Sequence, residues 1–273
     1  MKTGEPTPPS RQADVSDLTS RWFTRLRARP EARLRLVCFS SAGAGASAFA
    51  RWPEHLPPDV EAWAVQLPGR ETRRLERPMT DLGAIVDEIE EHIQPLLDLP
   101  FAFFGHSMGA LAAFETVRRL GENGQDAAML FVSGRIAPHL SRQAEDLDVL
   151  SDEDFIGLMD RRFGGIPSLL KEDMEFRELY LPPLRADAAA VSRYVHEDGP
   201  PLACPIYALG GVDDRSVPRE ALDAWDRHTT GGFSAHMFPG DHFYLQTARA
   251  ALLGRISAGL AHVNGSAASR GAR

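Results

Sequence analysis

Gly105-His106-Ser107-Met108-Gly109 sets a serine between two glycines, each two residues away. The apolar run Phe101 to Phe104 precedes it, too short for a helix and bounded by Pro100 and Gly105. Leu111, Phe114, Val117 and Leu120 follow at helical spacing. Serine chemistry needs these residue types at this spacing. The nucleophile must stand on a sharp strand-to-helix turn, and glycine on either side lets neighbouring backbone approach without a clashing Cβ. Such a turn also aims the Met108 N–H, at a helix N-terminus, at a developing oxyanion. A bare G-x-S-x-G arises by chance in roughly one protein in ten of this size, so the flanking strand and helix carry the assignment.

A nucleophilic serine needs a base, and the base needs an acid to orient it. The chain has nine histidines. His106 adjoins Ser107 and cannot easily fold back onto it, which leaves it a packing or hydrogen-bonding role. His236 lies within a strand pattern, His228 near a helix end, His262 in the last helix, and His55, His92 and His139 on polar or loop stretches; His196 lies in a helical insertion. His242 follows the strand-like run Phe233–Phe238 through Pro239-Gly240-Asp241, at the carboxyl end of a strand, where parallel-sheet sites assemble. It is the expected base. The acid belongs in the loop after the preceding strand, Gly210 to Pro218, where Asp213 and Asp214 compete. The spacing Gly211-x-x-Asp214-x-x-Val217-Pro218 favours Asp214; capping of the helix near Pro218 is the competing role for either.

The second oxyanion donor is expected in the loop after the first strand, Ser41-Ala42-Gly43-Ala44-Gly45, as the Ala42 N–H. That loop has neither G-K-[ST] nor G-x-G-x-x-G, which disfavours nucleotide binding. No H-x₃-H or H-E-x-x-H spacing occurs, so no catalytic metal is expected.

The elements that must position these residues alternate. Arg33 to Phe39, Val60 to Leu67, Phe101 to Phe104, Ala128 to Ser133, Pro205 to Leu209 and Phe233 to Phe238 read as strands. Asp81 to Leu97 and Phe243 to Val263 read as helices, and Gly121 or Gly124 caps the helix after Ser107. Strands alternating with helices predict an α/β fold with a mainly parallel sheet covered on both faces. The stretch from about residue 138 to 200 has helical patterns and no convincing strand. It reads as a lid insertion, or simply as a longer crossover. Residues 1–20 read as a flexible tail for which Trp22, Phe23 and Leu26 offer a docking point, residues 21–265 as the domain, and 266–273 as a second tail.

Composition bounds the class. The chain has 273 residues, 43% hydrophobic and 25% charged, and a net charge of -8, which disfavours nucleic acid as a partner. Cys38 and Cys204 lie in apolar runs and read as buried free thiols. No apolar segment has signal-peptide or membrane-spanning character, so a cytoplasmic protein is expected.

Several motifs together resemble the stand-alone type II thioesterases of polyketide and nonribosomal peptide biosynthesis, which have the α/β-hydrolase fold. They are Phe39-Ser40-Ser41-Ala42-Gly43, Gln66-Leu67-Pro68-Gly69-Arg70, Phe104 to Ala110, Ser133-Gly134-Arg135-x-Ala137-Pro138, Gly164-Gly165-Ile166-Pro167, Leu181-Pro182-Pro183-Leu184-Arg185-Ala186-Asp187, Pro201-Leu202-x-Cys204-Pro205-Ile206 and Pro239 to Phe243. The resemblance spans about Leu34 to His262. Leu-Pro-Gly-Arg and Leu-Pro-x-Leu-Arg-Ala-Asp are its most specific elements. It implies a triad of Ser107, His242 and the Asp213/Asp214 loop, Ala42 and Met108 as oxyanion donors, and a flexible lid. It also implies a substrate acyl group held on the phosphopantetheine arm of an acyl or peptidyl carrier protein, with no cofactor of the enzyme's own. One loop departs from the family pattern: Ser40 and Ser41 stand where Pro and His or Tyr are usual. Arg70, Arg73 and Arg74 are candidates for a carrier-docking patch or for structural roles. Three other readings compete: a chain-releasing thioesterase, a general carboxyl-ester hydrolase, and a non-catalytic binding protein, the last disfavoured by the presence of both Ser107 and His242.

Overall fold

The computed structural model describes residues 21–141 and 147–270. The expected N-terminal tail and residues 271–273 lie outside the described residues. Seven strands form one sheet: β1 (Phe23–Arg25), β2 (Leu34–Phe39), β3 (Val60–Val65), β4 (Phe101–His106), β5 (Met129–Ser133), β6 (Ile206–Gly211) and β7 (Phe233–Phe238). Their order is β1-β3-β2-β4-β5-β6-β7, with β1 antiparallel to β3 and every other pair parallel.

Period-two alternation explains why the strands read as continuous apolar runs. In β4, Phe101 and Phe103 pack on one face with Ile85, Ile89, Leu111 and Val117. Ala102 and Phe104 pack on the other with Phe49, Trp52, Leu252 and Ile256. β5 divides the same way, Leu130 and Val132 against Met129 and Phe131. The first face is covered by α1 (Leu82–Ile93) and α2 (Met108–Glu122), the second by α8 (Arg249–Arg270). Each large side chain buried this way contributes about 2 kcal/mol.

Helix ends follow local chemistry. Asp81 Oδ1 accepts from Ala84 N at 2.8 Å and starts α1. The helix gives way at Gln94–Leu96 to a 3₁₀ turn containing Pro95, so it is shorter than the 81–97 periodicity predicts. Asn123 and Gly124, the latter at φ +75°, end α2.

The switch point lies between β2 and β4, because the chain leaves β2 toward β3 and returns past β2 to β4. Phe39 and Gly105 are register partners there, so the loops after both strands open side by side. Three helices, α3 (Asp152–Phe163), α4 (Leu169–Glu172) and α5 (Met174–Arg193), lie between β5 and β6. They carry a small apolar cluster of their own that includes Phe155, Ile156, Met159 and Leu181. Pro182 and Pro183 sit inside α5 and leave the carbonyls of Glu178 and Leu179 without helical donors; both residues are exposed to water.

Two further stretches differ from the sequence expectation. β1 is a strand of three residues with only Phe23 buried, too short to show a period. Trp22 and Phe23 are buried, and the Arg73 guanidinium and the His92 ring both pack on the Trp22 ring. After α6 (Arg219–Asp223), the last helical stretch divides at Ala248 into α7 (Tyr244–Thr247) and α8, and α8 continues to Arg270 through the segment read as the start of a tail. Cys38 and Cys204 are buried and free. Burial raises the Cys204 thiol to about 12, so it stays protonated.

Candidate active site

Ser107 joins β4 to α2 with φ 56° and ψ -114°, a conformation L residues adopt only when their surroundings enforce it. The glycines enforce it. A Cβ on Gly105 would lie 2.1 Å from Gly109 O, and one on Gly109 would lie 2.3 Å from Phe39 O. Ser107 N donates to Ser133 O at 2.8 Å, which fastens the turn to β5.

The carboxyl ends of three further strands supply the partners. His242 Nε2 stands 3.0 Å from Ser107 Oγ, and His242 Nδ1 2.7 Å from Asp214 Oδ2. Asp214 Oδ1 accepts from Ser216 N at 2.9 Å and from Ser216 Oγ at 2.6 Å, an Asx-type turn within Asp214-Arg215-Ser216. Burial pushes the Asp214 carboxyl upward, but the hydrogen bond and charge of His242 and the two hydrogen bonds from Ser216 outweigh it and hold the pKa below the usual value. Of the two aspartates, Asp214 is the one brought to His242; Asp213 is exposed, its N–H bonded to Gly240 O at 2.9 Å. The sequence spacing favoured Asp214, and the course of the loop is what turns it, and not its neighbour, inward.

His106 is buried beside His242, ring centroids 5.1 Å apart, with Nδ1 2.9 Å from Ser133 Oγ; Ser133 Oγ is in turn 2.6 Å from Tyr244 OH. Burial, reinforced by the neighbouring His242, lowers the His106 pKa to about 3, and the ring stays neutral. Burial raises the Tyr244 phenol, so it too remains protonated.

Met108 is the first residue of α2, where an N–H has no intrahelical acceptor. Ala42 sits in the loop after β2, and both residues line the same cavity as Ser107 and His242. Ser40, which departs from the family pattern, donates its hydroxyl to Ala44 O at 2.9 Å and braces this loop from within. The cavity holds about 520 Å³. The helical insertion supplies much of its apolar wall, including Met159, Ile166, Leu170 and Phe176. Phe163 of α3 lies against the His242 ring with centroids 4.8 Å apart.

Two of the arginines considered for docking are buried instead. Arg70 is paired with Asp187, and Arg73 is held by Glu76 and by Gln66 O. Their planar forks satisfy carboxylates and carbonyls of the fold; Arg74 alone is exposed. Sequence reasoning quoted Arg70 and Asp187 in separate motifs and did not pair them. Ser216 and Tyr244 were also missed; the Asp-x-Ser spacing was the available signal for the first.

A mainly parallel sheet with a strained serine turn at its switch point, facing a histidine after the last strand, defines an α/β-hydrolase fold. The family model for the thioesterase domain matches residues 34–260, and the chain belongs to that family. It is 43% identical over 227 residues to the gramicidin S biosynthesis protein GrsT of Aneurinibacillus migulanus, covering 83% of this chain and 88% of that protein. It is 40% identical over 233 residues to thioesterase PikA5 of Streptomyces venezuelae, covering 82% and 80% respectively. Among solved structures, the type II thioesterase BorB from the borrelidin biosynthetic cluster superposes with a TM-score of 0.77 at 36% identity, covering 88% of this chain and 96% of that one. The chain is thus a thioesterase whose relatives serve polyketide and nonribosomal peptide biosynthesis. No helix among the described residues is long and apolar enough to cross a membrane.

Proposed function

We propose that this protein is a cytoplasmic editing thioesterase that hydrolyses acyl groups from the phosphopantetheine arm of acyl or peptidyl carrier proteins. The observation that carries the chemistry is the continuous hydrogen-bonded line from Asp214 through His242 to Ser107, opening into an apolar cavity. The names of GrsT, PikA5 and BorB support the biosynthetic setting.

Ser107 Oγ attacks the thioester carbonyl carbon while His242 Nε2 takes its proton. The oxyanion accepts from the Ala42 and Met108 amides, each such donor being worth about 3 kcal/mol in the transition state. The C–S bond breaks, His242 returns the proton to the departing thiolate, and an acyl-Ser107 ester remains. Water then attacks that ester, with His242 taking its proton, and the acid leaves as His242 returns that proton to Ser107 Oγ. Asp214 keeps the proton on His242 Nδ1 and stabilises the imidazolium. These steps draw on no metal or cofactor of the chain's own; the pantetheine belongs to the substrate. The helical insertion acts as the lid, since it walls the cavity and touches His242 through Phe163.

The test presents one acyl group three ways: on a carrier protein, on coenzyme A and as an oxygen ester, with Ser107→Ala as the blank. The carrier thioester is expected to give the highest kcat/KM. A preference for the oxygen ester would move the protein to the general esterases.

A further inference from the structure

Asp187, on the inner side of α5, is fully buried and reaches the loop after β2. Its Oδ2 accepts from Gly43 N at 2.7 Å, and its carboxylate is clasped by the Arg70 fork, with Arg70 Nη2 2.9 Å from Oδ1. Arg70 Nη1 also donates to Ala44 O at 3.2 Å. Gly43 has φ +76°, and a Cβ there would lie 3.1 Å from Leu184 Cβ, one turn before Asp187 on the same helix. Gln66 continues the brace: its Oε1 accepts from Ala46 N at 3.1 Å, while its Nε2 donates to Arg70 O at 3.2 Å.

We propose that Asp187 and Arg70 are positioning residues for the oxyanion hole, and that the helical insertion through them sets the direction of the Ala42 N–H. The inference rests on the thioesterase reading, in which Ala42 is a donor. The Gly43 N–H belongs to the peptide plane next to the one carrying the Ala42 N–H. Holding the first on Asp187 constrains the second, which belongs to a residue that lines the cavity. A carboxylate so close to a developing oxyanion would oppose it unless neutralised, and the buried guanidinium supplies that neutralisation. The same pair ties the covering helix to the catalytic loop, so placement of α5 and competence of the hole are one arrangement.

Two double variants separate positioning from mere support. R70M/D187L removes the ion pair and the acceptor for Gly43. R70M/D187N removes the ion pair but keeps an amide oxygen that accepts from Gly43. Taking out both charges together avoids stranding one in the interior. Melting temperature, kcat, KM and the rate of Ser107 labelling by a fluorophosphonate are measured on each. R70M/D187L is expected to lose about 10²-fold in kcat and in labelling rate with KM within about threefold of wild type. R70M/D187N is expected to recover at least about tenfold of that loss at a similar melting temperature. Equal kcat in the two variants, or wild-type kcat in R70M/D187L, overturns the proposal. If R70M/D187L does not fold, R70M/D187A replaces it with the same expectations. Labelling needs no thioester, so a wild type that labels normally but leaves thioesters intact defeats the thioesterase reading, and the labelling rates alone then judge the positioning role.

Discussion

His106 Nδ1 lies 2.9 Å from Ser133 Oγ, so the histidine next to Ser107 in the chain is bound away from it. Ser133 serves twice: its hydroxyl meets His106 and Tyr244, and its carbonyl receives the Ser107 N–H. The two histidines at the site therefore have separable roles. His106→Asn is expected to cost about 1–3 kcal/mol of stability through the broken buried network and to leave kcat within about tenfold. His242→Ala is expected to lower kcat by about 10⁴-fold or more with little change in melting temperature. Chemical denaturation and steady-state kinetics on both variants check this; a kcat in His106→Asn as low as in His242→Ala would contradict it.

The carboxylates give a second contrast. Asp214→Asn should drop kcat by about 10⁴-fold, because the wrong imidazole tautomer then faces Ser107. Asp213→Asn should be near wild type, since its side chain is exposed. Ser216→Ala should fall between them, having lost one of the two bonds that Ser216 gives Asp214 Oδ1. Kinetics on the three variants at one pH rank them.

Gly109→Ala brings a methyl to 2.3 Å from Phe39 O, a backbone atom of the central sheet that cannot move aside cheaply. A loss of about 3 kcal/mol or more is expected, or failure to fold. Gly124→Ala meets open space and suffers only from its φ of +75°, so about 1 kcal/mol is expected. Urea titration of both gives the comparison.

Stability should also fall in acid through His228. Burial, and then the charge of His139, His196, Arg227 and Arg118, lowers its pKa to about 4 from the usual 6.5. Its Nε2 is 2.7 Å from His139 Nδ1. Between these two pKa values the unfolded chain binds a proton that the folded chain refuses, so stability is lost as pH falls from 6.5 toward 4. The melting temperature is expected to drop by about 5 °C or more over that window, and less in His228→Gln. Equal slopes in the two proteins would remove His228 as the cause.

Ile166 lines the cavity from the loop between α3 and α4. Ile166→Trp should shift kcat/KM from long toward short acyl chains by about tenfold, since each methylene in an apolar pocket is worth about 1–3 kcal/mol. A series of acyl thioesters differing only in chain length measures it.

Features that depend on a few neighbouring residues are legible without any structure. The serine turn is legible because Gly105, Ser107 and Gly109 make and need their strain within five residues. The parallel strands are legible because burial on both faces leaves unbroken apolar runs such as Phe101 to Phe104. His242 follows from chain order along those strands. The tertiary structure alone decided relationships whose partners lie far apart or differ only in direction. Asp213 and Asp214 have the same chemistry, and only the loop's path past Gly240 turns one of them to His242. β1 has too few residues to show a period, and is a strand because β3 offers it an edge. Arg70 and Asp187 stand 117 residues apart, and meet because the insertion folds back over the switch point and brings one buried charge to the other. Local strain and periodicity are written in adjacent residues; pairing across the fold depends on the packing that brings distant ones into register.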